Sequence, residues 1–128
     1  MRSALYSFVL LALLPIFGAA QSGSMELLDS AKRLGLDQAA SKEALLRSAL
    51  KSLDGRAPIS LRTEVNREFG HFFFYTGWYD SALVYFQKNV PLFEKNSLEL
   101  AACYNNQAAA FQGLGRYREA TDRYLAAQ

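Results

Sequence analysis

One cysteine, one histidine and three prolines stand in 128 residues, and each scarcity removes a class of function. A single thiol, Cys103, rules out a disulfide within the chain. With only His71 beside it, the chain has too few soft ligands for a zinc site, and no cofactor is expected. There is no Gly-x-Ser-x-Gly elbow, phosphate loop or Cys/His pairing, and Glu43, Glu64, Glu68, Glu94 and Glu99 are spaced as solvated helix charges. The chain therefore does not read as an enzyme. No block of Lys or Arg stands out from the formal charge of +2, which argues against a nucleic-acid partner. No run alternates with period two for long enough to propose a sheet.

Long apolar runs are also scarce. Ala4 to Phe17 is shorter than the about 20 residues a membrane span needs, and Pro15 interrupts it. Arg2 before it and Gly18-Ala19-Ala20 after it make residues 1–20 a signal peptide cleaved after Ala20, with an uncleaved anchor as the rival reading. An exported chain, periplasmic or secreted, is expected. An unpartnered thiol in an oxidising compartment is best buried, and Cys103 lies in the apolar segment Ala101-Ala102-Cys103-Tyr104.

What the chain does have is 51% apolar residues at helical spacing, enough for one globular domain. Leu45, Leu46, Ala49, Leu50 and Leu53 form an amphipathic stripe that Asp54-Gly55 ends. After the Ala57-Pro58 linker, a helix capped by Ser60 carries Val65, Phe69, Phe72, Phe73 and Thr76 inward as far as Gly77. Asp80 is placed to cap the next helix, which buries Ala82, Leu83, Tyr85 and Phe86 and should end near Val90, because Pro91 removes a backbone donor. Asn96-Ser97-Leu98-Glu99 reads as a capping box for a helix to Leu114, and a last helix starts near Arg116. The fold class is all-α.

Two stretches repeat at a shift of 38 residues. Gly70, Phe73, Gly77, Tyr79, Ala82 and Phe86 correspond to Ala108, Phe111, Gly115, Tyr117, Ala120 and Tyr124. Gly77 and Gly115 suit a left-handed helix end, Ala82 and Ala120 let two helices approach closely, and the aromatics fill the space beside them. Such a hairpin cannot cover its own apolar face and needs a neighbour, so a stacked array of antiparallel hairpins is expected. Gly35-Leu36-Asp37-Gln38-Ala39-Ala40 reads either as a decayed third copy or as a plain capping hairpin. The expected organisation is a hairpin over 21–57, one repeat over 58–96 and a second, incomplete one over 97–128.

These residues resemble the tetratricopeptide repeat family. Its pattern of large, small, aromatic, Gly, aromatic, Ala and aromatic residues is met by Gly70, Phe73, Gly77, Tyr79, Ala82 and Phe86, with Asn66 departing where a larger residue is usual, and by Tyr104, Ala108, Phe111, Gly115, Tyr117, Ala120, Tyr124 and Ala127. The match covers residues 62–128, and its spacing exceeds the family's usual repeat of about 34 residues. The resemblance implies a short right-handed α-solenoid that binds a protein or peptide in a concave groove. By register that groove carries Glu64, Arg67, His71, Phe74 and Tyr75 from the first copy and Asn105, Ala109 and Gln112 from the second. Arg67 suits a carboxylate, Asn105 a peptide backbone, and Phe74 and Tyr75 an apolar side chain. His71 reads rather as a satisfied core or solvent-facing residue than as a functional one, because no partner that would activate it is visible, and Asn106 reads equally as a groove residue or an interhelical partner.

Two functions are open at this point. One is an exported scaffold for protein–protein interaction. The other, implied by resemblance to the exported repeat regions of bacterial sensor kinases and regulators, is the input region of a longer membrane signalling protein, with a span and an output domain beyond Gln128. The sequence stops within the second helix of the second copy and leaves the face around Leu125 uncovered, so it is expected either to be a fragment of a longer protein or to have this end closed by a partner or by self-association with a second copy.

Overall fold

The computed structural model describes residues 22–128, so the expected signal segment and its cleavage point lie outside the described residues. The described part is all-α, with no strand. A helix over 22–33 (α1) is followed by α2 (Ala39–Ser52), α3 (Ile59–Tyr75), α4 (Tyr79–Asn89), α5 (Leu98–Gly113) and α6 (Tyr117–Ala126). Consecutive helices from α2 to α6 pack in contact wherever a short turn joins them, and α4 also packs on α5 across the longer connection. Among these residues no helix is long and apolar enough to cross a membrane.

Two apolar clusters hold the helices together. Leu28 and Ala31 of α1 meet Leu46 and Ala49 of α2 and Leu61, Val65, Phe69 and Phe72 of α3. Ala82 and Phe86 of α4 meet Cys103 and Ala110 of α5. Phe73 packs against both clusters and so joins them. Rings carry much of the α3–α4 contact: Phe69 stacks on Tyr85 at 4.5 Å between centroids, and Phe73 lies 5.6 Å from the same ring. Burying a ring of this size contributes on the order of 2–3 kcal/mol, more than an exposed ion pair supplies.

The turns at Gly77 and Gly115 have the same geometry. Their φ angles are +85° and +73°, in the left-handed region where a Cβ is penalised. In the first, Trp78 N–H donates to the Phe73 carbonyl at 2.8 Å and Gly77 N–H to that of Phe74. In the second, Arg116 N–H donates to Phe111 at 2.9 Å and Gly115 N–H to Gln112. This paired pattern is the Schellman motif, which satisfies carbonyls left open at a helix end. Ala82 and Ala120, one turn into the helices that follow, are both buried.

Several local expectations change. Ser60 is not the cap of α3: the helix begins at Ile59 with Pro58 before it, and the Pro58 carbonyl accepts from Leu61 and Arg62. Proline already presets the backbone for a helix start, so no side-chain cap is required. Asp80 likewise lies inside the first turn of α4 and makes no cap hydrogen bond, which leaves it only its favourable charge at the helix N-terminus. The cap of α5 is Ser97, whose hydroxyl accepts from Leu100 N–H at 3.1 Å, while Asn96 takes a positive φ of 62° just outside the helix. Asn tolerates that conformation, so it makes the turn and leaves the cap to its neighbour. The α4 helix ends at Asn89 and passes into a short 3-10 turn, Val90–Leu92, as Pro91 requires. Gly35 is extended and Ala40 is exposed, so the α1–α2 connection does not repeat the geometry of the other two turns.

Phe86 packs onto the backbone of α3. A Cβ added at Gly70 would stand 2.3–2.8 Å from the Phe86 ring, and one added at Gly113 would stand 2.6 Å from the Tyr79 ring. Phe86 is buried whereas Tyr79 is only half-buried, so the first ring has nowhere to move. Gly70→Ala is therefore expected to destabilise the chain by about 1–3 kcal/mol despite a better helix propensity, and Gly113→Ala by clearly less. Urea unfolding of the two variants checks this order.

Candidate functional site

A cavity of about 480 Å³ opens between α3 and α5, the first helices of the two similar hairpins. Thr63, Glu64 and Arg67 come from α3, while Glu99, Ala102, Cys103 and Asn106 come from α5. Phe86 and Asn89 of α4 and Phe93 of the connection also line it. The periodicity explains the alignment: Thr63 and Arg67, like Glu99, Cys103 and Asn106, recur at three or four residues and so share one side of their helix.

The cavity is apolar on one part of its wall and charged or amide-lined on the rest. Glu64 is held by Lys32 of α1 in an ion pair and has Arg67 at 3.7 Å. With Lys32 already on the carboxylate, the half-exposed Arg67 guanidinium retains donors for a further acceptor. Asn89 is tied down: its amide donates to the Thr63 carbonyl at 2.8 Å, and its oxygen accepts from Asn66 at 3.0 Å. Cys103 donates its Sγ–H to the Phe86 carbonyl, and burial raises its thiol pKa to about 11, with Arg123 opposing the shift.

The residues expected to line a groove divide between the cavity and its surroundings. Arg67 and Glu64 line the cavity. His71 lies one turn on, with the Phe86 ring edge-on at 5.7 Å, and burial lowers its pKa. Glu68 and a hydrogen bond to Asn106 act in the opposite direction, and Arg67 adds to the lowering. Phe74 is half-buried and packs edge-on with Tyr79 at 5.4 Å, which places it in the second apolar cluster rather than in an open groove. Tyr75 is exposed next to it. Asn105 is exposed on α5 and does not line the cavity; its neighbour Asn106 does. Gln112 is engaged elsewhere, accepting from the Tyr124 hydroxyl at 2.9 Å.

Of the packing residues, Gly70, Ala82, Phe86, Ala108 and Ala120 are buried, and Phe73, Tyr104 and Phe111 are partly buried. Tyr124 is 37% exposed although its counterpart Phe86 is 2% exposed. Two differences account for this. Ala108 carries the Cβ that Gly70 lacks, and among the described residues no helix covers α6 as α5 covers α4.

Sequence reasoning missed three features. The Asn66–Asn89 pair was signalled only by a polar residue on each of two apolar stripes. Gly113 against Tyr79 was hidden by the more conspicuous turn glycine two residues later. The third is the buried Gln107 of α5, whose amide donates to the exposed Gln87 at 2.8 Å and leaves its own Oε1 without a partner.

Two predictions follow from the titrating groups. His71 has a lower pKa folded than its ordinary value of 6.5, so on acidification the unfolded chain takes up the proton first. Stability is then undiminished by this group above about pH 6.5 and falls as pH drops below it. His71→Gln should show a shallower loss of unfolding free energy between neutral and mildly acidic pH than the native chain. Cys103 should resist a thiol-specific disulfide reagent at pH 8 in the folded chain and react fully in denaturant, as read by absorbance.

No family model, curated protein or solved structure gives a significant match to this chain.

Proposed function

We propose that the chain is a protein–protein interaction scaffold that takes an extended peptide across α3 and α5, with one apolar side chain in the cavity. The observation that carries this reading is the pairing of an apolar floor, Phe86, Phe93 and Cys103, with a rim of Arg67 and Asn106. An apolar pocket with a few convergent polar groups is the usual form of a recognition site. Arg67 would pair with a carboxylate flanking the anchored residue, and Asn106 would contact the peptide backbone. Asn106 takes the place that the sequence assigned to Asn105.

The tetratricopeptide-like reading belongs to the same proposal. It is supported by the matched turns at Gly77 and Gly115, the buried Ala82 and Ala120, and the position of the cavity between corresponding helices. Export to the periplasm or outside the cell is also part of it, and rests on residues 1–20 of the sequence alone.

A displayed random-peptide library selected on the mature chain tests this. Enriched peptides should place an acidic residue near an aliphatic or aromatic one. They should lose at least about tenfold in affinity for the combined Arg67→Ala and Asn106→Ala variant, as expected for removing a charged hydrogen bond, while helicity by circular dichroism is unchanged. Selected peptides that bind the variant as tightly as the native chain would show that this cavity is not the site.

A further inference from the structure

Three charged residues line the cavity between α3 and α5, and they are not equally engaged. On the α3 wall, Glu64 is paired with Lys32 and has Arg67 at 3.7 Å, so two cations meet one carboxylate and that wall is positive on balance. On the α5 wall stands Glu99, and among the described residues no hydrogen bond or ion pair engages it. Its own helix does not use it either. Ser97 caps α5 with its hydroxyl, and the Ser97 N–H, which the carboxylate of a capping box would take, donates instead to the Glu94 carbonyl at 3.2 Å. The box expected from the sequence is therefore not closed: counted from Ser97, the third helical position is Leu100, and Glu99 falls one short of it.

We propose, resting on the peptide-binding reading above, that Glu99 is a specificity residue of the same site. The ligand is then a peptide with opposite charges on the two sides of its apolar anchor, acidic toward Arg67 and basic toward Glu99. Charge complementarity carries the argument, because a second acidic residue would stand beside an uncompensated carboxylate and lose affinity. The apolar floor of Phe86 and Phe93 comes from α4 and the connection, so it lies between the two charged walls.

The chain geometry of the ligand sets the spacing. Side chains two apart in an extended peptide share a face, so the acid and the base belong two residues before and two residues after the anchor. These positions stand about 13 Å apart at 3.3 Å per residue, wider than the roughly 8–10 Å between axes of directly packed helices. That suits α3 and α5, each of which packs on α4. Leu98, 87% exposed beside Glu99 at the cavity, offers apolar surface to the stem of a lysine or arginine whose charged head meets the carboxylate.

The test separates this inference from the reading on which it rests. Peptides enriched from the displayed library on the native chain, and lost with Arg67→Ala and Asn106→Ala combined, should carry Lys or Arg on the side of the anchor away from the acidic residue. Glu99→Gln should weaken them about threefold at low salt, and should leave unchanged the same peptides with that basic residue replaced by Gln. Selection on Glu99→Lys should enrich an acidic residue at that position while the acid facing Arg67 is kept. Circular dichroism should not change, since Glu99 is exposed. Peptides that depend on Arg67 and Asn106 yet show no preferred charge there, or bind Glu99→Gln as tightly as the native chain, overturn the role of Glu99 and leave the cavity as the site. Peptides indifferent to Arg67 and Asn106, or no enrichment at all, overturn both.

Discussion

The Phe86 ring resting on the bare backbone of Gly70 is the contact on which the rest depends. It sets how closely α4 approaches α3, and the same residue then acts in three further places. Its carbonyl receives the Cys103 thiol and so locates α5. Its ring edge meets His71 and forms part of the cavity wall. A side chain that is 2% exposed and wedged against the α3 backbone has little room to shift on that side, because interiors are close-packed and transmit strain. The cavity is therefore a by-product of the packing: α3 and α5 are each held by α4, and the gap between them is the space that α4 does not fill.

The α5–α6 hairpin shows what happens when one condition is relaxed. Ala108 replaces Gly70, Tyr124 replaces Phe86, and the ring moves toward solvent with its hydroxyl bonded to Gln112. Tyrosine suits that half-wet position as phenylalanine suits the enclosed one. The two hairpins thus share their turns and their small residues but differ in how much of the second helix is covered.

Much of this was legible in the sequence, and the reason is local. Gly77, Gly115, Ala82 and Ala120 announce turns and close approaches through chemistry that only those residue types provide, and Pro91 ends a helix wherever it stands. Helix starts were less legible: Ser60, Asp80 and Asn96 all have cap-forming side chains, yet the chain begins its helices one or two residues away from each. Several polar residues near a start compete for one position, and tertiary packing decides among them. The cavity was partly legible. Arg67 follows from helical spacing on α3, but the choice of Asn106 over Asn105 depends on how α5 is rotated against α4, which no local pattern states. Phe93 comes from a connection without periodicity, so no pattern in the sequence placed it there.

The amide pair between α3 and α4 has a consequence for how the chain can vary. Apolar stripes tolerate sliding, since one leucine or phenylalanine contact resembles the next. Asn66 and Asn89 are matched to each other, and Asn89 also to the Thr63 carbonyl, so sliding by a turn would strand both side-chain amides. Together they act as a key that fits a single alignment of the two helices. Evolution could exchange the pair for two apolar residues in concert, but an isolated change at either would leave its partner buried and unmatched.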